Sequence, residues 1–154
     1  FKTAMGGEYA GAINFWHFLA KSKAAGMREL ISVQEAGGAL GLDANTPLLG
    51  YYMKDSFLAQ HPGLAQSFFN ASRDAKDLLA SSDAAWDAIR PIMNANSDAE
   101  FNQLRSDWIA GIPDRAPVNQ AAVDKMLTLM NTLGGAELVG KATSVPAGLF
   151  ADVN

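Results

Sequence analysis

The chain has 154 residues and a mass of 16.3 kDa, enough for one domain with a sizeable core and too little for two full ones. Hydrophobic residues make up 49% and charged residues 18%, a composition that excludes disorder as the main state. A formal charge of −4 without a Lys/Arg cluster excludes the footprint of a nucleic-acid binder, and the lack of cysteine removes disulfides, thiol nucleophiles and cysteine-held metals.

The chain opens at Phe1, with no run of 18 apolar residues and no signal-peptide pattern. A fragment or processed chain, entered midway, is expected. After Gly6-Gly7, the apolar and aromatic run of residues 9–15 predicts a buried strand, and a helix follows from Trp16 to Ala25 with Gly26 as its stop. Residues 27–33, carrying Leu30, Ile31 and Val33, predict a second strand. The first third therefore has a βαβ rhythm, the signature of a parallel sheet.

Residues 37–47 are rich in Gly, Asp, Asn and Pro and read as a crossing or hinge, after which residues 48–53 predict a third strand. The remainder is helical in pattern. A first turn over residues 57–60 precedes a long helix from Pro62 to Ala80, whose apolar positions Leu64, Phe68, Phe69, Ala75, Leu78 and Leu79 form one stripe. Ser81, Ser82 and Asp83 offer caps for a helix carrying Trp86, with Pro91 expected to bend it. Ser97 and Glu100 have capping-box spacing ahead of Phe101, Leu104 and Trp108, and Gly111 ends that helix. Asn119 caps a last helix that Gly134-Gly135 ends, and the tail to Asn154 reads as loop with a turn. No repeat or low-complexity segment is visible.

The pattern carries little catalytic chemistry. His17 and His61 belong to no ligand-spaced pair, which leaves no metal site, and His61 before Pro62 reads as a cap or surface residue. There is no G-x-S-x-G, no S-x-x-K set and no G-x-G-x-x-G, and Asp74, Asp77, Asp83 and Asp87 read as a solvated helix face. No catalytic residue and no cofactor is assigned. What remains is Asn14-Phe15-Trp16-His17 at the end of a predicted strand. There an amide that both donates and accepts sits beside rigid aromatic surface, a combination suited to a small-molecule pocket. The competing reading packs Phe15 and Trp16 under the next helix.

Residues Gly7-Glu8-Tyr9-Ala10-Gly11-Ala12-Ile13-Asn14-Phe15-Trp16, Leu19-Ala20 and Ala24-Ala25-Gly26-Met27-Arg28-Glu29-Leu30 resemble the second half of ABC-transporter periplasmic solute-binding proteins of the nitrate/sulfonate/taurine type. Pro47-Leu48-Leu49-Gly50-Tyr51, Asp55-Ser56-Phe57-Leu58, His61-Pro62-Gly63-Leu64, Ala71-Ser72-Arg73-Asp74-Ala75 and Gly134-Gly135-Ala136-Glu137-Leu138-Val139-Gly140 continue the resemblance over nearly the whole chain. It implies an α/β fold, part of a two-lobed (type II) periplasmic binding protein, helix-rich in its second two-thirds. Residues 1–44 would end the second lobe, and residues 45–154 would supply a return strand and helices of the first.

The implied function is a periplasmic receptor that captures a small solute, anionic among the usual candidates, by hinge closure and delivers it to an ABC permease. Asn14, Phe15, Trp16, His17 and Tyr51 are the implied ligand contacts. The sheet edges left by a missing N-terminal half would be covered by that half, by a second copy or by another chain. Two other classes stay open. One is an enzyme of the same fold, of the thiamine-pyrimidine synthase or sulfinate hydrolase type; the other is a helical interaction module.

Overall fold

The structure, a computed structural model, describes residues 2–151 and 153, so the expected course of the tail is tested only up to there. Among the described residues every regular element is helical: α1 (Lys2–Met5), α2 (Trp16–Ala24), α3 (Val33–Ala39), α4 (Asp55–Gln60), α5 (Leu64–Ser81), α6 (Asp83–Ile89), a 3-10 turn (Arg90–Ile92), α7 (Asp98–Ala110) and α8 (Gln120–Val139). The α/β expectation, and with it the lobes of a two-lobed binding protein, is therefore incorrect.

The three expected strands are the source of the error. Residues 9–15 are bends and irregular backbone, residues 27–32 are irregular, and residues 48–53 carry no ladder. Short apolar runs fit a buried strand and a buried helix segment equally, and only a neighbouring strand turns such a run into sheet. At the second run a local signal prevails. The Ser32 hydroxyl accepts from the Glu35 amide at 3.0 Å while the Glu35 carboxylate accepts from the Ser32 amide at 2.8 Å, and this reciprocal box turns the chain into α3 at Val33.

Contacts divide the chain into two units, Phe1–Leu30 with Arg73–Ile112 and Ile31–Ser72 with Pro113–Asn154. In the first, α2 packs on α7. Helix α2 ends as glycine punctuation requires: Gly26 (φ 87°) leaves the helix while its amide bonds the Lys23 carbonyl at 2.9 Å and the Met27 amide bonds that of Ser22 at 3.0 Å. Ser82 and Ser97 cap α6 and α7 by accepting from the Ala85 and Glu100 amides, each at 3.2 Å. The Glu100 carboxylate turns to the Asn96 backbone and side-chain amides, 2.9 Å each, rather than completing the expected box with Ser97. Pro91 sits in the 3-10 turn, where its ring ends the regular helix as expected.

The core of this unit is Trp86, Phe101 and Leu104 with Ala20, and Trp86 is its largest fully buried side chain. The Trp86 indole donates to the Leu79 carbonyl at 2.6 Å and its ring meets that of Trp108 edge-on at 5.5 Å. Lys23 crosses from α2 to the Asp107 carboxylate at 3.1 Å and lies 3.5 Å from Glu29. Burial disfavours its charge, but the Asp107 hydrogen bond and the two carboxylates outweigh that and raise the amine above its ordinary value.

In the second unit Asn119 caps α8, its side-chain oxygen accepting from the Ala121 and Ala122 amides at 3.1 and 3.3 Å. Helix α8 breaks at Gly135 (φ 61°, ψ −163°), as the Gly134-Gly135 pair predicts, but helical backbone resumes to Val139. A Cβ on Gly134 would lie 2.6 Å from Leu138 Cδ2, so the break lets Leu138 fold back over a residue without a side chain. The α8 side chains of Asp124 and Lys125 reach the Val145 amide, at 3.1 Å, and the Gly41 carbonyl. Helix α5 starts at Leu64 rather than Pro62 because Gly63 adopts φ 80°. Its apolar stripe has the expected period, yet no residue of α5 is fully buried.

Candidate functional site

The predicted site residues fall at the start of a helix rather than at the end of a strand. Phe15 is the N-cap of α2, with extended backbone (φ −64°, ψ 154°) and no side-chain cap. Its carbonyl accepts the Phe18 and Leu19 amides, at 3.0 Å each, which leaves the Trp16 and His17 amides at the helix N-terminus facing outward from the ladder. Four consecutive aromatic rings crowd this turn. Phe15 and His17 are stacked at 6.2 Å, Trp16 meets His17 edge-on at 5.9 Å, and His17 and Phe18 lie 4.2 Å apart.

Below the turn is a cleft of about 450 Å³ lined by Trp16, His17, Phe18, Lys21, Met93, Asn94 and Leu104. Its volume lies in the range of roughly 300–1,000 Å³ typical of small-molecule sites. The wall opposite α2 exists because Pro91 ends α6: the chain turns through Asn94, whose φ of 52° is the left-handed conformation that asparagine tolerates better than most residues. This turn presents the Asn94 carbonyl to Lys21 Nζ at 2.6 Å. Glu100 lies 3.7 Å from the same ammonium. The Asn96 backbone amide, helped by the Asn96 side chain and Lys21, holds the Glu100 carboxyl below its usual value.

Trp16 and His17 line the cleft, and Phe15 joins them through ring stacking. Asn14 is half-buried just before the helix and is not among the lining residues. Tyr51 belongs to the other unit, where its ring meets Phe68 edge-on at 4.8 Å. Sequence reasoning missed Lys21, Met93, Asn94 and Leu104. For Lys21 the signal was present: it follows His17 by one helical turn, so a helix starting at Trp16 puts both on one face.

Chemically, the cleft offers apolar and aromatic walls and one ammonium, that of Lys21, which donates to the Asn94 carbonyl and lies 3.7 Å from Glu100. That set can hold a small molecule with an anionic or strongly polar head. A second, shallower recess of about 350 Å³ lies against Asp87, Arg90, Pro91, Asn94 and Ala95, but Arg90 is paired with Asp98 and stacked 4.4 Å over Phe101. Among the described residues no group of three His, Asp or Glu side chains converges on a metal-sized site, and no helix is long and apolar enough to cross a membrane. Comparison with protein-family models and with curated proteins returns no match for this chain.

Proposed function

We propose that this chain is a receptor for a small solute with an anionic or polar head, which it holds without turnover in the cleft beneath Trp16 and His17. The observation that carries this reading is the cleft itself: aromatic walls with a single cation, Lys21, at its edge. The resemblance of residues 7–30 and 47–64 to solute-binding proteins supports the wider role, in which the solute is released to the permease of an ABC importer and the protein works in the periplasm. Closure between two α/β lobes is not carried over, because the strands that would build those lobes are not formed.

The test is a tryptophan-fluorescence titration with methanesulfonate, nitrate and acetate. Trp16 is 48% exposed and reports on the cleft mouth, whereas Trp86 is buried. Saturable quenching by one of the three, lost in Trp16→Phe and weakened at least tenfold in Lys21→Ala, supports the reading, with the solute recovered chemically unchanged. Quenching that is linear for all three, or equal in the wild type and Lys21→Ala, overturns it.

A helical interaction module is a second reading, favoured by large apolar side chains left at the surface, among them Ile13, Leu49 and Tyr52. Under that reading the cleft binds none of the solutes and the chain is recovered with a protein partner.

A further inference from the structure

The cleft between α2 and the Asn94 turn is much larger than the smallest anions. Nitrate and acetate each have four non-hydrogen atoms, and at about 30 Å³ per atom, the share of a water molecule in the liquid, either fills about a quarter of its 450 Å³. The rest of the space meets apolar side chains: Leu104 is buried, Phe18 and Met93 are half-buried, and Trp16 keeps 48% of its surface exposed. Uncovered indole and phenyl rings beside a thioether are surfaces against which another aromatic ring packs well.

The charges around Lys21 limit what the head of the solute carries. Lys21 is the one Lys, Arg, Asp or Glu in the cleft lining; its Nζ donates to the Asn94 carbonyl at 2.6 Å, and an ammonium carries three N–H donors. Glu100 stands 3.7 Å away, beyond hydrogen-bond length, and the Asn96 backbone and side-chain amides hold its carboxylate there at 2.9 Å each. Its charge offsets that of Lys21. One carboxylate can share the ammonium with Glu100, whereas a dianion would bring a second, uncompensated charge into a partly buried site.

We propose that the solute is an aromatic monocarboxylic acid of about ten non-hydrogen atoms, with its carboxylate on Lys21 and its ring against Trp16, Phe18 and Met93. The assignment rests on the receptor reading above and names the class of molecule that the receptor takes. At about 30 Å³ per atom such an acid occupies about 300 Å³, two-thirds of the cleft. Glu100 then acts as a specificity-determining residue, because it competes with the carboxylate for the ammonium and disfavours anions of higher charge.

Nuclear magnetic resonance titration of the full chain with acetate, phenylacetate and cyclohexylacetate tests this, with the Trp16 indole N–H as the reporter. Phenylacetate should bind about tenfold more tightly than acetate; at about 25 cal/mol per Å² that gain needs only about 55 Å² of ring surface covered, under half of what a phenyl group offers. Cyclohexylacetate, of similar size without the ring quadrupole, should bind about threefold more weakly than phenylacetate. In Met93→Ala, read by the same indole, the advantage of phenylacetate over acetate should shrink while acetate binds as before. Glu100→Gln keeps an oxygen for the Asn96 amides and should tighten phenylacetate about threefold. Acetate binding that saturates and depends on Lys21, with no gain from the ring, overturns the aromatic class and leaves the receptor reading standing. Equal affinities for phenylacetate and cyclohexylacetate, or no tightening in Glu100→Gln, also overturn the proposal. Saturation by none of the three acids overturns it together with binding of carboxylates by this cleft.

Discussion

Replacing Trp86 with alanine tests the packing that supports the cleft. Trp86 is 2% exposed, donates to the Leu79 carbonyl, meets Trp108 edge-on, and has the Arg105 guanidinium 5.8 Å above its ring. The other large buried side chains of the unit are Phe101 and Leu104, and its remaining buried apolar residues are alanines, which are too small to fill the void. Removing a buried Trp side chain costs about 3–5 kcal/mol in all, of which the donor lost by the Leu79 carbonyl is about 1 kcal/mol. Small domains are stable by about 5–15 kcal/mol in all, so the variant keeps little margin. With a urea dependence of about 1.5 kcal/mol/M, the unfolding midpoint should fall by roughly 2–3 M. Urea melts followed by ellipticity at 222 nm and by Trp108 fluorescence measure it. Trp86→Phe, which keeps a ring but not the N–H, should fall by about 1 M. A Trp86→Ala midpoint within about 0.3 M of wild type, against the 2–3 M shift expected, refutes the assignment of Trp86 as the unit's anchor.

Other consequences are local. Asn119→Ala removes the oxygen that caps α8 and should cost about 0.5–2 kcal/mol, with faster amide exchange at Ala121 and Ala122. Gly134→Ala places a Cβ against Leu138 and should lower the melting temperature, whereas Gly38→Ala, where a Cβ meets nothing within 4 Å, should leave it unchanged or raise it. The Glu100 carboxyl lies below its ordinary value of 4.5, so its stabilising contribution is complete above about pH 4.5 and is lost as pH falls through the folded value; Glu100→Gln should flatten that acid limb. Lys23 is raised above 10.5, so its contribution is complete below pH 10.5 and is lost as pH rises through the folded value; Lys23→Met should remove that alkaline limb in a pH series of thermal melts.

The helical part of this molecule was readable because its signals are local. Ser82, Ser97 and Asn119 cap the helices they precede, Gly26 and Gly111 follow the helices they end, and Pro91 interrupts where its ring must. Each of these acts over four residues. The expected strands fail because a strand is a relation between distant segments, and among the described residues, segments 9–15, 27–32 and 48–53 form no strand ladder. Ser32 and Glu35 showed their capping spacing in the sequence, yet the apolar Leu30, Ile31 and Val33 masked it. The candidate site was legible in the same measure: the aromatic cluster at Trp16 and His17 is contiguous in sequence, whereas Asn94 and Leu104 come from elements some 80 residues away that only folding brings near.

Native mass spectrometry of the chain as purified from cells, without added solute, tests the receptor account most directly. The account predicts a species heavier than the bare chain by the mass of one small molecule per copy, which gentle activation releases unchanged and which Trp16→Ala no longer carries. A wild-type chain that shows no adduct, even after incubation with methanesulfonate, nitrate or acetate at millimolar concentration, would contradict it.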